Sequence, residues 1–309
     1  MKVLVIGGAG FIGSNVVKEL LLSGHAVRLY TRPTQSLGRL ADQMEKVEVV
    51  HGDFMDDHAV SETLQGVDAV VHSLSTTFPK TVLQSAAYDV MSNLLPTMRL
   101  VDHCLKMGIH NLTYLSSGGT VYGEAEYVPI DEDHPRNPIS LYGLSKLTIE
   151  NYLRFISNVQ PLSIKILRVS NPYGPSQNFF GVQGIVGVAL GCLLHHRPFT
   201  IFGDGQNVRD YIHVVDVAHA VRLAVEHTAN LTVNIGTGMG TTITGLLEQI
   251  ELATGRTLDK VFLPDRGIDV RQNILDNRLA KEALGWTPRY SLSEGLQEVA
   301  ASAMSLGKH

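Results

Sequence analysis

The sequence contains few cysteines, little net charge and no long apolar run, and each scarcity narrows the functions open to the protein. Its 309 residues include two cysteines, Cys104 and Cys192, both in apolar surroundings. We therefore expect buried free thiols and a reducing, cytoplasmic location. The net charge of −5 provides no basic surface for nucleic acid or anionic lipid. No apolar run is long enough to cross a membrane. Nucleic acid, on the ground of charge, and a membrane, on both grounds, are therefore not expected as partners.

A metal centre is not expected either. The 13 histidines are scattered, and the one adjacent pair, His195 and His196, lacks further ligands at the spacing of a zinc site. The composition, 44% hydrophobic and 18% charged, is that of a soluble globular protein.

The first half of the chain alternates strand-like and helix-like stretches. Short apolar runs predict strands, and apolar residues at helical spacing predict helices. Strands are predicted at 2–7, 26–31, 47–53, 68–75, 111–117 and 162–170, and helices at 11–24, 58–66, 86–107 and 141–157. This alternation predicts right-handed βαβ units, and hence an α/β protein with a doubly wound parallel sheet.

The pattern changes after the stretch "NPYGP" at 171–175, where glycine and proline interrupt the chain. We expect residues 1–171 to form the sheet domain, and residues 208–236 to return to it. The segments 172–207 and 237–309 are expected to form a smaller substrate-binding region.

A glycine-rich turn, "GGAGFIG", connects the first predicted strand to the first helix. It places Gly7, Gly10 and Gly13 at regular spacing, with Phe11 and Ile12 between the last two. Glycine permits a tight turn and close backbone approach, and the helix N-terminus presents free N–H groups to a pyrophosphate. Because the motif lies in a βαβ context, it predicts a Rossmann-like domain that binds a dinucleotide.

The ends of the second and third strands predict how the rest of the dinucleotide is held. The second strand ends in Thr31 and Arg32, without a carboxylate. An acidic residue there binds the 2′-hydroxyl of NAD, whereas arginine suits the 2′-phosphate of NADP. These residues therefore favour NADP, although Arg32 also suits a solvated surface position. Asp53 and Phe54 follow the third strand at a place suited to adenine, although Asp53 also suits a turn or a helix cap.

Tyr142 and Lys146 are four residues apart on a strongly helical pattern, so they face the same way. An ammonium group near a phenol stabilises the phenolate and lowers its pKa. A phenolate accepts the proton of an alcohol whose hydride passes to nicotinamide, and Lys146 is also able to hold the nicotinamide ribose. Together with the glycine turn, the pair predicts a catalytic base and its partner.

These features combine with further motifs to resemble a known family. The motifs are "GGAGFIGS" (7–14), "HGDFMD" (51–56), "VVHSLS" (70–75), "SSGGTVYG" (116–123), "LYGLSK" (141–146), "LRVSNPYGP" (167–175), "VRDYIHVVDVA" (208–218), "RGID" (266–269) and "LGWTP" (284–288). In this order, along almost the whole chain, they resemble the extended short-chain dehydrogenase/reductases of the NAD-dependent epimerase/dehydratase family. These proteins act on sugar nucleotides, and the chain is most similar to their UDP-glucose 4-epimerase branch.

The resemblance implies roles for single residues. Tyr142 is implied as the catalytic base and Lys146 as its partner. The residues implied to line the cofactor, NAD or NADP, are Leu74, Ser75 and Asn93. The residues implied to hold a UDP- or dTDP-linked sugar are Asn171 and Gln183 near the diphosphate or nucleoside, Arg209 and Arg266 on phosphates, and Asp269 on the nucleoside ribose. Salt bridges at a domain interface are the alternative for both arginines.

The stretch "LSSGGTVYG" at 115–123 discriminates among the reactions of the family. Where 4,6-dehydratases carry an Asp–Glu pair, this chain has Gly119 and Thr120. Decarboxylating members usually carry Glu at the second of these positions, so both reactions are disfavoured. Members that epimerise C3 and C5 need a further Cys or His in the site, and neither Cys104 nor Cys192 is placed for that.

The remaining reactions are 4-epimerisation, by transient oxidation at C4 with a bound cofactor, and NADPH-dependent reduction of a nucleotide-linked 4-keto sugar. We favour the epimerase and keep the reductase as the alternative. A third hypothesis, a non-catalytic nucleotide sensor, conflicts with the intact Tyr142–Lys146 pair. Gly118 stands where the resemblance implies a Ser or Thr that binds the sugar 4-oxygen. Ser117 and Thr120 are therefore the candidates to replace that hydroxyl.

The predicted helices at 86–107 and 141–157 carry apolar residues beyond one face. In the family such helices form a dimeric four-helix bundle. The resemblance therefore implies a homodimer.

Overall fold

The computed structural model describes residues 1–77, 86–181, 183–267 and 269–306. Within them the strands are β1 (Lys2–Ile6), β2 (Ala26–Thr31), β3 (Val47–His51), β4 (Ala69–His72), β5 (Asn111–Ser117), β6 (Ser163–Val169), β7 (Asn171–Tyr173), β8 (Phe199–Phe202), β9 (Val208–His213), β10 (Leu231–Ile235), β11 (Gly240–Thr242), β12 (Lys260–Leu263) and β13 (Gln272–Asn273). The helices are α1 (Phe11–Leu22), α2 (Asp57–Thr63), α3 (Ala86–Asp89), α4 (Leu95–Lys106), α5 (Leu141–Val159), α6 (Ile185–Leu194), α7 (Val214–Glu226), α8 (Ile243–Thr254), α9 (Arg278–Leu284) and α10 (Leu292–Leu306). A 3-10 helical segment covers Gly38–Lys46, and a π-helical segment, Val90–Leu94, joins α3 to α4.

Seven strands form one parallel sheet in the order β3-β2-β1-β4-β5-β6-β10. β1 lies inside it, with Val3 opposite Val27 of β2 and Ala69 of β4. The chain progresses in opposite directions from β1 and from β4, and such a switch leaves a crevice at the carboxyl ends of the strands. The predicted doubly wound, Rossmann-like sheet is confirmed.

The side chains of β1 show why the sheet needs helices on both faces. Val3 and Val5 belong to a buried cluster with α1 and α7, whereas Leu4 and Ile6 belong to a cluster with α2, α4 and α5. Successive side chains of a strand point to opposite faces. A continuously apolar strand is therefore stable only between two helical layers.

A smaller unit follows the large sheet. β9 pairs with β7, β11 and β13, and β8 pairs with β12. A third apolar cluster joins these strands to α6, α8 and α10. The stretch 208–236, expected to return to the large sheet, is divided between the two units. α7 packs on α1 and β10 extends the large sheet, but β9 lies in the small sheet because β10 occupies the edge beside β6.

Two other elements differ from their predictions. The predicted strand at 68–75 is paired with β1 only as far as His72. Beyond it the chain crosses the carboxyl end of β1, where the Ser73 hydroxyl donates to the carbonyl oxygen of Ile6 (2.8 Å). The predicted helix at 86–107 is interrupted by the π-helical segment, a feature that often marks functional sites.

The two cysteines are buried free thiols, as predicted. Burial raises the pKa of Cys104 to about 12. In the described part of the chain no helix is long and apolar enough to span a bilayer. Within the same residues, no group of three His, Cys, Asp or Glu side chains is arranged to hold a metal ion.

Candidate active site

The glycine turn joins β1 to α1 at the carboxyl edge of the large sheet. Gly7 has a φ of +84°, a conformation that favours glycine. A Cβ atom at Gly13 would lie 2.3 Å from the carbonyl oxygen of Gly7, so glycine is needed for this close packing. Gly10 is the N-cap residue of α1, and no side chain caps the helix there. Phe11 and Ile12 form its first turn, whose free N–H groups fit the pyrophosphate of a dinucleotide.

Thr31 and Arg32 lie at the end of β2 and differ in environment. Thr31 is buried opposite His51 of β3. Arg32 is exposed and forms no ion pair with any described residue. Its guanidinium group is therefore free for a phosphate, but an exposed arginine without a partner is also common at surfaces.

Asp53 and Phe54 follow β3 but do not both face the crevice. Asp53 stabilises a turn, since its Oδ1 accepts a hydrogen bond from the N–H group of Met55 (2.9 Å). Phe54 is 5% exposed, and its ring centre lies 5.1 Å from that of His72. The ring is held in the core by this packing. A contact of Asp53 and Phe54 with adenine stays a prediction.

Helix α5 presents Tyr142 and Lys146 to a common space. It begins after Ser140, whose Oγ accepts a hydrogen bond from the N–H group of Gly143 (3.1 Å). This cap fixes the first helical turn, which carries Tyr142. Lys146 Nζ lies 5.8 Å from the ring centre of Tyr142 and donates to the carbonyl oxygen of Leu115 (3.0 Å). The pair faces one cavity, but the ammonium group is bonded to β5.

Burial is the dominant influence on the ionisation of both groups. It raises the pKa of Tyr142 to about 12, which a hydrogen bond with Ser75 opposes and the charge of Asp89 reinforces. It lowers the pKa of Lys146 to about 8, against the opposing effects of Asp89 and Glu150. The expected net lowering of the Tyr142 pKa by Lys146 is not found, because the phenol is desolvated and the ammonium group donates elsewhere.

A narrow cavity surrounds this pair where β4, β5, α3 and α5 meet. The three residues expected to line the cofactor, Leu74, Ser75 and Asn93, all face it. Asn93 lies in the π-helical segment, and its Oδ1 accepts a hydrogen bond from the N–H group of Thr76 (2.9 Å). This bond holds the loop after β4 in place. The cavity is further lined by His72, Thr77, Asp89, Tyr114, Ser145 and Ile149.

Gly118 directly follows β5 and is closely packed. Its N–H group donates to the carbonyl oxygen of Val169 (2.8 Å), so it extends the ladder with β6. A Cβ atom at this position would lie 2.5 Å from Leu275 Cδ1 and 3.0 Å from the carbonyl oxygen of Arg168. The place of the implied Ser or Thr side chain is therefore filled by Leu275.

The two candidate replacement hydroxyls, Ser117 and Thr120, are not equally free. Thr120 Oγ1 makes a long hydrogen bond to the carbonyl oxygen of Ser117 (3.5 Å). The Ser117 hydroxyl has no hydrogen-bond partner among the described residues. A Cβ atom at Gly119 would meet Asn171 Oδ1 at 3.9 Å and Ser117 Oγ at 4.0 Å, so these polar groups share an open space. Ser117 is the more available hydroxyl.

Arg209 lies on β9, the central strand of the small sheet. It is in register with Asn273 of β13, whose Nδ2 donates to the carbonyl oxygen of Gly118 (3.0 Å). Asn171 of β7 donates to the carbonyl oxygen of Asp210 (3.1 Å), which links β7 to β9. Burial lowers the pKa of Arg209, and no described carboxylate forms an ion pair with it. A desolvated guanidinium group without an ionic partner suits an anionic ligand.

The other three residues expected to bind substrate lie on the surface. Arg266 and Asp269 form an ion pair with each other. The guanidinium carbon of Arg266 also lies 4.2 Å from the ring centre of Phe202. Gln183 is exposed just before α6. The alternative, a salt bridge at a domain interface, therefore fits neither arginine. Arg209 forms no ion pair in the described chain, and Arg266 pairs with Asp269, which is only three residues away.

Sequence comparison identifies the family. A model of the NAD dependent epimerase/dehydratase family matches residues 3–236. The chain belongs to this family.

Individual members of the family are similar over nearly their whole length. UDP-glucose 4-epimerase of Mycolicibacterium smegmatis is 35% identical over 302 residues, which cover 96% of each protein. dTDP-4-dehydro-6-deoxyglucose reductase of Escherichia coli is 29% identical, covering 97% of this chain and 96% of that protein. The structure of UDP-glucose 4-epimerase of Thermotoga maritima with UDP-glucose has a TM-score of 0.94 at 34% identity and 99% coverage of both chains. Further similar 4-epimerases have been solved in complex with NAD.

Sequence reasoning missed several residues that line the cavity, among them Asp89 and Tyr114. Asp89 lies four residues before Asn93, so a carboxylate and an amide at helical spacing were the available signal. Tyr114 lies within an apolar strand and offers no comparable signal. Its place in the cavity depends on how β5 packs against α5.

Proposed function

We propose that the protein is a nucleotide-sugar 4-epimerase, similar to UDP-glucose 4-epimerases, acting on a UDP- or dTDP-linked hexose. The observation that carries the proposal is the Tyr142–Lys146 pair, enclosed in one cavity with Leu74, Ser75 and Asn93. The uncapped N-terminus of α1 lies at the same edge of the sheet. The similar 4-epimerases described above support the same reaction.

The chain's own side chains have distinct roles in this reaction. Tyr142, as its phenolate, accepts the proton of the sugar 4-hydroxyl and later returns it. Lys146, held by the carbonyl oxygen of Leu115, provides a cation for the phenolate and the ribose. Ser117 offers its free hydroxyl to the sugar 4-oxygen. A nicotinamide cofactor held beside Leu74, Ser75 and Asn93 would supply the acceptor, and then the donor, of the C4 hydride.

The substrate-side residues suit a sugar diphosphate. Arg209 is the strongest candidate for a phosphate, because it is half-buried and lacks an ion pair with the described residues. Arg266 and Asp269 exchange their mutual ion pair for phosphate and ribose contacts. Asn171 and Gln183 are assigned to the diphosphate and its nucleoside.

The family description and the NAD complexes of similar 4-epimerases favour NAD as the cofactor. Arg32 is the feature that favours NADP, because it is exposed and forms no ion pair with the described part of the chain where a 2′-phosphate would lie. That feature, with the Escherichia coli reductase among the relatives, supports a second candidate function. It is the NADPH-dependent reduction of a nucleotide-linked 4-keto sugar.

Two incubations distinguish the candidates. Purified protein is given UDP-galactose without added cofactor, and separately a dTDP-linked 4-keto sugar with NADPH. Conversion of UDP-galactose, with NAD released when the protein is denatured, is the expected result. Consumption of NADPH with the 4-keto sugar alone would identify the reductase. Absence of turnover on both, with nucleotide still bound, would contradict both enzymes and leave a sensor.

We also propose a homodimer formed through α4 and α5 with the π-helical segment. Met91, Leu95, Leu144 and Phe155 on these helices are 40% to 62% exposed, although they are large and apolar. Light scattering is expected to give twice the mass of one chain. Leu144→Glu should give the monomer mass, whereas Leu252→Glu, on the distant α8, should leave the dimer intact. A monomeric wild-type protein would contradict the proposal.

We likewise propose a division of the chain into two domains and a cellular location for the protein. Residues 1–171, with α7 and β10, form the cofactor domain, and 172–207 with 237–309 form the sugar-nucleotide region. The free thiols of Cys104 and Cys192 support a reducing, cytoplasmic location.

A further inference from the structure

The cavity behind Tyr142 contains a buried carboxylate that the proposed reaction does not use. Asp89 is 3% exposed and is the last residue of α3, directly before the π-helical segment. Its Oδ1 accepts hydrogen bonds from Asn93 Nδ2 (2.9 Å) and from the Thr77 hydroxyl. Both contacts use this oxygen as an acceptor, as a carboxylate does. A charge in so dry a place needs a cation nearby.

The other titratable groups that line the cavity are neutral near pH 7. Burial and, to a smaller extent, the charge of Lys146 lower the pKa of His72 on β4 to about 3. Burial raises the pKa of Tyr114 on β5 well above its usual value, and that of Tyr142 on α5 to about 12. Of the described groups lining the cavity, Asp89 and Lys146 are therefore the charged ones.

Glu150 is a second buried carboxylate near Lys146, one helical turn further along α5. Its Oε2 accepts hydrogen bonds from Arg168 Nε (3.1 Å) and Nη2 (2.8 Å), and both side chains are fully buried. Arg154 Nη2 lies 3.6 Å from the same oxygen. The charge of Glu150 is thus neutralised by arginine on β6 and on its own helix. Asp89 has no ion pair with a described residue, so its charge acts on the groups that share its cavity, where it raises the pKa of Lys146 and also that of Tyr142.

We propose that Asp89 is a positioning residue that keeps Lys146 charged and so maintains the cationic partner of Tyr142. This inference rests on the proposed function, because Asp89 acts through the proposed catalytic pair. Through Asn93 it also supports the loop that carries Ser75, since Asn93 bonds both Asp89 and the N–H group of Thr76.

The negative charge of Asp89 and burial shift the pKa of Lys146 in opposite directions. Burial lowers the pKa of Lys146 to about 8, and the negative charge of Asp89 raises it against that effect. Neutralising Asp89 therefore lowers the pKa of Lys146 further. The Lys146 ammonium group then loses its proton at a lower pH than in the wild-type protein. The alkaline limb of the kcat profile moves to lower pH by the same cause.

The test follows the ionisation of Lys146 directly. Protein labelled with ¹³C at lysine Cε is titrated by NMR, and the Lys146 signal is assigned from its loss in Lys146→Met. In Asp89→Asn its midpoint is expected to fall by roughly one pH unit, the effect of removing a nearby opposite charge. Lys165 is the internal control, because burial also lowers its pKa to about 8. It bonds Asn111, away from this cavity, so its midpoint should not move.

A second control separates charge from hydrogen bonding. Thr77→Val removes one hydrogen bond to Asp89 but keeps the carboxylate, so the Lys146 midpoint should stay at its wild-type value. An equal fall in Thr77→Val and Asp89→Asn, or an unchanged midpoint in folded Asp89→Asn, would overturn the proposal. Asp89→Ser serves as a second neutral variant. If neither neutral variant folds, Asp89 is a structural residue and the proposal is likewise overturned.

The titration needs no turnover, so it separates failure of this inference from failure of the proposed function. If the protein proves not to be an epimerase, the Lys146 midpoint still reports on Asp89. If it is an epimerase, the alkaline limb of kcat must fall together with that midpoint.

Discussion

Adding one methyl group at Gly118 is expected to lower the free energy of unfolding by about 1 to 3 kcal/mol, as overpacking of a filled core does. The new Cβ would lie 2.5 Å from Leu275 Cδ1 and 3.0 Å from the carbonyl oxygen of Arg168. Carbon atoms in favourable contact are about 3.5 to 4.0 Å apart. Leu275 is fully buried, and its N–H group is bonded to Asp210. The hydrogen bond holds the backbone of Leu275, and the full burial of its side chain opposes movement of the Cδ1 atom, while the carbonyl oxygen of Arg168 is part of β6.

Gly119 provides the matched control on the next residue. There a Cβ atom would meet only Asn171 Oδ1 at 3.9 Å and Ser117 Oγ at 4.0 Å, which are ordinary contacts. Gly119→Ala should therefore change the stability by less than about 0.5 kcal/mol. Leu275→Ala alone should cost about 2 to 5 kcal/mol. The double variant Gly118→Ala/Leu275→Ala should lose less free energy of unfolding than the two single variants together, because the shortened side chain at position 275 makes room for the methyl group.

Urea unfolding followed by the fluorescence of Trp286 measures these free energies. Trp286 is the single tryptophan and is fully buried. Equal stability of Gly118→Ala and Gly119→Ala, or simple additivity in the double variant, would refute the conclusion that Leu275 fills the place of the missing hydroxyl. The same packing predicts that Gly118→Ser lowers kcat, because the serine cannot enter without displacing the strand end.

Three further changes test the site. Tyr142→Phe should abolish turnover but leave UDP and cofactor binding by calorimetry intact; a near-normal rate would exclude Tyr142 as the base. Arg209→Met should weaken UDP binding about tenfold or more, as expected for lost hydrogen bonds from a charged donor, whereas Arg278→Met, at an exposed ion pair, should not. Arg32→Ala should weaken NADP binding more than NAD binding, and equal losses would make Arg32 a solvated surface charge.

The features that were predictable from the sequence depend on local pattern. The apolar run of β1 requires burial on both faces, and the spacing of Gly7, Gly10 and Gly13 fits a turn into a helix. The helical spacing of Tyr142 and Lys146 places them on one face of α5. Each inference needs only neighbours along the chain, so none depended on knowing the tertiary packing.

The features that were not predictable depend on contacts between distant segments. Leu275 lies beside Gly118 because β13 packs at the end of β5, and no local pattern records that approach. Lys146 donates to the carbonyl oxygen of Leu115, so its expected effect on Tyr142 is outweighed by burial. The ring of Phe54 enters the core because His72 offers it a packing partner. In the first two cases tertiary packing overrode a reasonable local expectation.

The end of β5 is where the cofactor-binding sheet and the substrate-side sheet are brought into register. On one side Leu115 and Ser116 are bonded to α5, through Lys146 and Glu150. On the other side the carbonyl oxygen of Gly118 accepts a hydrogen bond from β13, and the space beside it is filled from the same segment. A side chain at that junction would separate the two sheets, so glycine is the residue that the packing requires. A hydroxyl for the sugar must then come from a position beside the junction. Ser117 lies there, and its hydroxyl has no hydrogen-bond partner among the described residues.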